Sequence, residues 1–164
     1  MSDSKSAQYT FWPAEQQDLP LLWEWLQAPE VVRWWGDPVE QIALLREDLT
    51  NDDMVMRIVS HRGRPFAYAQ DYEVHAWPQA HFAHLPQGAR AIDAFIGDAE
   101  MVGKGHGSIF LRLLAGLLKA NGAPVVTIDP GVDNKRARRA YEKAGFRAQQ
   151  VVETGCGPAI LMTI

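Results

Sequence analysis

The 164-residue sequence holds one cysteine, Cys156. A lone thiol cannot close an internal disulfide, so no fold stabilisation through cross-links is expected, and a reducing, cytoplasmic setting is. No apolar run approaches the roughly 18 residues that a membrane-spanning helix needs, so no membrane partner is expected. The opening Met1-Ser2-Asp3-Ser4-Lys5-Ser6 has no apolar stretch and no small-residue cleavage site, so it does not read as a secretory signal; 1–7 reads as a flexible lead. Positive charge is also scarce: 16 Lys and Arg stand against 20 Asp and Glu, and the net −4 argues against nucleic acid as a partner. There is no repeat, low-complexity stretch or linker. The length suits one domain over 8–164.

What is present is unevenly spread. Residues 1–60 carry eleven acids and four bases, 61–100 five and three, and 101–164 four and nine. The regional charges are therefore −7, −2 and +5. Trp12, Trp23, Trp25, Trp34 and Trp35 all fall in the first 35 residues, and only Trp77 lies beyond them. An acidic, tryptophan-rich front and a basic back suggest two ligands of opposite charge; scattered surface charge is the plainer alternative.

Local patterns predict a strand over 8–13 and a helix over 19–26, with Asp18 as its cap and Pro20 in its first turn. A short turn or helix covers 30–35 and ends at Gly36. Asp37 then caps a helix that carries Ile42, Leu45 and Leu49 on one face. Strands over 54–60 and 66–74 flank the turn Arg62-Gly63-Arg64-Pro65 as a hairpin. Residues 75–90, with His75, His81 and His84, read as a long loop of the kind that often carries function. A strand over 91–96 leads into a glycine-rich turn and an apolar helix over 108–120. A short buried strand over 125–128 follows. A basic helix, capped by Asp133 or Asn134, ends at Gly145. Strands over 146–153 and 159–164 close the chain. This order is that of an α/β protein with a mixed central sheet.

Two stretches carry chemistry. In Met101-Val102-Gly103-Lys104-Gly105-His106-Gly107-Ser108, glycines at alternate positions allow close backbone approach. The helix start that follows presents unpaired N–H groups and a positive dipole end, an anion cradle suited to a pyrophosphate. Lys104 adds charge. No Ser or Thr follows Gly103-Lys104, and G-x-G-x-x-G fails at Phe110, so neither triphosphate hydrolysis nor dinucleotide binding is indicated. In 134–146, Asn134, Ala137 and Tyr141 share one helix face, and small Ala137 leaves room for a ligand along it. The four bases within 135–139 suit phosphates, or form a solvated face.

The turn at 102–107 resembles the pyrophosphate loop of the GNAT acyl-CoA N-acyltransferases. The second stretch is similar to their N-x-x-A-x-x-x-Y-x-x-x-G-F pattern at Asn134, Ala137, Tyr141, Gly145 and Phe146, in the family's order and separation. Val102 departs from the Gln or Arg often found there. Within that superfamily the chain resembles the aminoglycoside 6'-N-acetyltransferases over nearly its full length. The matching stretches are Arg33-Trp34-Trp35-Gly36, Ala67-Tyr68-Ala69-Gln70-Asp71-Tyr72, Ala91-Ile92-Asp93, Gly103-Lys104-Gly105, Asp129-Pro130, 141–146 and Gly157-Pro158-Ala159. Siderophore-pathway lysine N-acyltransferases share much of this layout.

The resemblance implies a GNAT fold, a single domain with six to seven strands, and acetyl transfer from acetyl-CoA to a primary amine by direct attack. Backbone N–H groups at Phe95, Ile96 and Gly97 would polarise the thioester carbonyl. Gly103, Lys104, Gly105, His106, Gly107 and Ser108 would hold the pyrophosphate, with Asn134, Ala137 and Lys143 as further cofactor contacts. Asp93 would orient the amine and accept its proton, and Tyr141 would protonate the departing thiolate. Trp34 or Trp35 and Asp129 would meet a cationic small-molecule acceptor. Trp23 and Trp25 read as core.

The loop 75–90 holds no carboxylate, and Cys156 stands where that subfamily leads one to expect an acid. These departures keep a siderophore lysine or hydroxylysine, a protein or peptide amine, and a non-catalytic CoA-binding module open as alternatives. The histidines have no Cys or Glu partner at ligand spacing, so no metal is expected. Cys156 has no adjacent base that would make it a nucleophile. The chain is expected to act as a monomer or homodimer.

Overall fold

The computed structural model describes Ser4 and residues 7–164. Apart from Ser4 and Ala7, the lead expected over 1–7 lies outside the described residues. Seven strands and five α-helices follow one another: β1 (Tyr9–Pro13), α1 (Leu19–Leu26), α2 (Pro29–Trp35), α3 (Pro38–Asp48), β2 (Met54–His61), β3 (Arg64–Glu73), β4 (Arg90–Ile96), α4 (His106–Ala120), β5 (Val126–Ile128), α5 (Lys135–Ala144), β6 (Arg147–Thr154) and β7 (Gly157–Thr163). The strand order is β1-β2-β3-β4-β5-β7-β6. The sheet is mixed, as expected: β4 pairs parallel with β5, whereas β1 with β2, β5 with β7 and β6 with β7 pair antiparallel.

The chain forms two compact units, one of residues up to Gln70 with Asp93–Lys104, the other of Asp71–Ile92 with Gly105–Ile164. By sequence the first carries fourteen acids and seven bases, the second six acids and nine bases, so they bear −7 and +3.

In the first unit, α1, α2 and α3 bury Leu22, Trp25, Leu26, Val31 and Leu45 with Met56, Ile58, Tyr68 and Phe95 from the strands. Ile42 and Leu49 of the expected α3 face are partly buried against this cluster. Pro38 opens α3, and Asp37 caps it by accepting from the N–H groups of Val39 (2.8 Å) and Glu40 (3.2 Å). Asp18 is different. Its carboxylate accepts from Glu15 N (2.8 Å), closing a 3-10 turn at Gln16–Asp18, and it makes no side-chain cap on α1. Trp25 is core as expected. Trp23 is 37% exposed, because it lies two positions away on α1 and faces outward.

In the second unit, α4 buries Phe110, Leu111, Leu114, Ala115 and Leu118, and every residue of β5 is buried. α4 begins at His106, two residues before the expected start, because Gly105 takes the left-handed conformation (φ 85°) that lets the turn end there. Gly145 (φ 110°) ends α5 in the same conformation.

Candidate active site

β4 carries the expected acid of the first unit. Asp93 is half-buried, and its Oδ2 accepts a hydrogen bond from Gln70 Nε2 at 3.0 Å. Gln70 Oε1 in turn accepts from the Tyr68 hydroxyl at 2.7 Å. Tyr68 is fully buried and Gln70 8% exposed. Tyr68 and Gln70 alternate along β3 and so share one face. The sequence shows that alternation, but nothing in it shows which polar neighbour Gln70 meets.

Phe95 is buried, with its ring 4.9 Å from Trp35 and 5.4 Å from Tyr68. Trp35 also meets Tyr68 edge-on at 6.1 Å, so of the two acceptor candidates Trp35 is held in an aromatic cluster. Trp34 is 37% exposed, and the Arg33 guanidinium lies 4.7 Å from its ring centroid. That ring is therefore already covered by a cation.

Ile96 is half-buried, and Gly97 is buried under Trp25. The Gly97 N–H donates to the Phe66 carbonyl at 2.9 Å. This corrects one expectation: Gly97 offers no amide to a thioester carbonyl, and glycine is required there by the indole against its Cα. Asp98 accepts from Glu100 N (3.0 Å) and, with Glu100, holds Arg64 in an ion-paired cluster at 2.5 and 2.7 Å. Gly103 (φ 76°) and Lys104, both exposed, end this unit.

The second unit holds the other candidates. Gly105 is the N-cap of α4 and has no side chain to cap it; Ser108 Oγ donates back to the Gly105 carbonyl at 3.0 Å. His106, Gly107 and Ser108 are half-buried in the first turn. A side chain at Gly103 or Gly105 would meet nothing within 4 Å. Left-handed glycines opening onto free space before a helix start fit an anionic diphosphate.

On α5, Asn134 is the N-cap: its Oδ1 accepts from Ala137 N at 3.3 Å. Cap and ligand contact thus compete for one side chain, leaving its amide N–H2 as the group for a ligand. Ala137 and Tyr141 are half-buried and Lys143 exposed. The Tyr141 ring lies 6.4 Å from Phe146.

Asp129, after β5, places its Oδ2 2.9 Å from His81 Nε2 in a hydrogen bond. The two side chains are 19% and 5% exposed respectively, and burial pushes the Asp129 carboxyl up to about 6. The loop 75–90 is tied down throughout. Glu73 accepts from the N–H groups of His75 (2.7 Å), Ala76 (2.9 Å) and Gly88 (3.0 Å). His75 Nε2 contacts the Leu85 carbonyl at 2.8 Å, and Gln79 Nε2 donates to the Tyr72 hydroxyl at 3.0 Å. Burial raises the Glu73 carboxyl, but the three N–H donors outweigh it and hold the group below its usual range. Two of the three histidines thus have other partners, and among the described residues no three His, Cys, Asp or Glu side chains gather as a metal site.

Residues 14–154 match the acetyltransferase (GNAT) domain family. The chain is 35% identical over 160 residues to aminoglycoside N(6')-acetyltransferase type 1 of Klebsiella pneumoniae, spanning 90% of this chain and 78% of that one. It is similar to the crystal structure of an aminoglycoside acetyltransferase in complex with coenzyme A and kanamycin, with TM-score 0.86, 31% identity, and 95% and 94% of the two chains covered. The structure with acetyl-CoA and paromomycin gives TM-score 0.86 at 32% identity over 95% and 92%.

Proposed function

Because the chain belongs to the GNAT acetyltransferase family, we propose that it moves the acetyl group of acetyl-CoA to a primary amine of an aminoglycoside-like substrate. The observation that carries the reading is Asp93, a half-buried carboxylate on β4 held in one orientation by Gln70.

Acetyl-CoA, when bound, supplies a thioester carbonyl open to attack by a neutral amine. The open glycines and first turn of α4 hold its diphosphate, helped by the amide of Asn134 and by Lys143, with Ala137 leaving room along α5. Phe95 and Ile96 line the acyl arm through their backbone. Asp93 orients the incoming ammonium. That ammonium must first lose one proton to water so that its nitrogen has a lone pair; Asp93 accepts the second proton, which the nitrogen sheds as the C–N bond forms. Tyr141 gives a proton to the sulfur as the C–S bond breaks. Trp34 and Asp129 serve the acceptor's ring and charge. The net −7 of the first unit favours arrival of a cation. No helix among the described residues is long and apolar enough to cross a membrane. The lone Cys156 supports a cytoplasmic location.

Release of free thiol from acetyl-CoA in the presence of kanamycin-type compounds tests the reading, with Asp93→Asn expected to bind CoA and lose turnover. A second reading, transfer to a smaller amine such as a lysine or hydroxylysine side chain, is favoured by the engagement of Asp129 with His81 and the absence of carboxylates in 75–90. Thiol release with such amines and none with the aminoglycoside panel would establish it.

A further inference from the structure

Resting on the reading of Asp93 as proton acceptor, we infer that Tyr68 and Gln70 form a positioning relay that sets the orientation and basicity of that carboxylate. The two bonds run in series: Tyr68 hydroxyl to Gln70 Oε1 at 2.7 Å, then Gln70 Nε2 to Asp93 Oδ2 at 3.0 Å. An amide offers two opposite faces, an acceptor oxygen and a donor NH2. Turned the other way, Gln70 would direct Oε1 at an ionised carboxylate, which repels it. Donation by the Tyr68 hydroxyl fixes Oε1 inward and so commits Nε2 to Asp93.

Tyr68 is itself immobilised. It is fully buried, with its ring 5.4 Å from Phe95 and 6.1 Å from Trp35. The relay therefore ends in the core of the first unit. The hydrogen bond to Oδ2 favours the charged form of Asp93 and holds its plane, so that the carboxyl is aimed before a substrate arrives. The other charged groups of β3 and β4 and those at 98–100 are committed elsewhere, and Lys104, beyond them in the glycine turn, is exposed. Arg64 pairs with Asp98 and Glu100, Arg90 pairs with Asp71, and Glu73 holds backbone N–H groups. None of these substitutes for Gln70 as the donor to Oδ2.

Tyr68→Phe removes only the hydroxyl and keeps the ring packing, and Gln70→Glu keeps the shape while replacing the donor with a like charge. We expect Tyr68→Phe to lower kcat about tenfold with little change in the acceptor KM, the loss of one buried hydrogen bond. The acid limb of its kcat profile should move to higher pH, because the charged form of Asp93 loses support. Gln70→Glu should move that limb further in the same direction, since two adjacent carboxyls cannot both ionise freely. The CoA-dependent rise in Tm should be unchanged in both, which shows that the fold persists. An inactive Asp93→Asn beside a Tyr68→Phe enzyme with unaltered kcat and pH profile would overturn the relay and leave the base intact. A fully active Asp93→Asn would overturn the base reading, and the relay with it.

Discussion

His81 Nε2 lies 2.9 Å from Asp129 Oδ2, and both side chains are largely withdrawn from water. The acid that the family resemblance assigns to substrate is thus held by a histidine of the chain itself. An acceptor cation at Asp129 must share that oxygen or displace the imidazole.

The raised value of Asp129 carries a sign that can be measured. A carboxyl whose folded pKa lies above its unfolded one favours folding fully below the unfolded value, and that contribution is lost as pH rises through the folded one. With Asp129 near 6, its share of stability should fall between about pH 4 and 6. Asp129→Asn keeps an acceptor for His81 and removes the titration. Relative to wild type, the variant should gain on the order of 2 kcal/mol between pH 4 and pH 7, followed by denaturant midpoints at both. A constant difference across that range would contradict the burial of an ionised Asp129.

Gly97 and Trp25 make a second relationship that a single methyl tests. A Cβ on Gly97 would fall inside the Trp25 indole. Neither the backbone just after β4, where the Gly97 N–H is bonded to the Phe66 carbonyl, nor the buried indole can yield cheaply. Gly97→Ala should therefore cost about 1–3 kcal/mol as overpacking. In a Trp25→Ala background, which removes the Cγ and the ring that lie nearest the added methyl, the same change should cost less, so the double-mutant cycle should show coupling above about 1 kcal/mol. Additive effects would mean that the two residues do not meet.

The local elements were legible because punctuation residues set their ends: Pro38 and Asp37 start α3, Gly36 ends α2 and Gly145 ends α5, each by a conformational or capping requirement that needs no tertiary partner. The bound at Asp18 is the expected one, but Asp18 fits two local roles, and its side chain closes the preceding 3-10 turn instead of capping the helix. The glycine turn suggests an anion cradle from its residues alone, whereas the role expected of Asp93 comes only from family resemblance, since spacing alone does not say what faces a strand carboxylate. Gln70 and His81 belong to what sequence could not show. Their partners are 23 and 48 residues away, and that pairing is a product of register. Trp34 and Trp35 likewise look equivalent in sequence, and their division into an exposed and a packed ring follows from the α2 helix phase.

Glu73 gives a pH dependence opposite to that of Asp129. Its three N–H donors at the two ends of 75–90 lower its pKa, so its contribution is complete above the unfolded value and is lost as pH falls through the folded one. Glu73→Gln replaces one acceptor oxygen with a donor, which leaves part of that set unbonded. Hydrogen exchange at the amides of His75, Ala76 and Gly88 should accelerate about tenfold, corresponding to the loss of one such bond. Unchanged protection at all three would show that other contacts hold the loop.

Gly105 tests the diphosphate cradle apart from the chemistry. At φ 85° a β-branched residue is strained by about 1–2 kcal/mol, and its side chain would also project into the open space before α4. Gly105→Val should lower Tm and, beyond that, shrink the rise in Tm that saturating CoA gives wild type, because the N–H groups of the first turn are no longer approachable. Gly116 is the control. It lies on the exposed side of α4 in helical conformation, with nothing within 4 Å of an added Cβ. Gly116→Ala should therefore stabilise the protein by about 0.5–1 kcal/mol and leave the CoA response intact. If Gly105→Val kept the full CoA shift, the diphosphate would have to lie away from this helix start, and the +3 charge of the second unit would need another ligand to explain it.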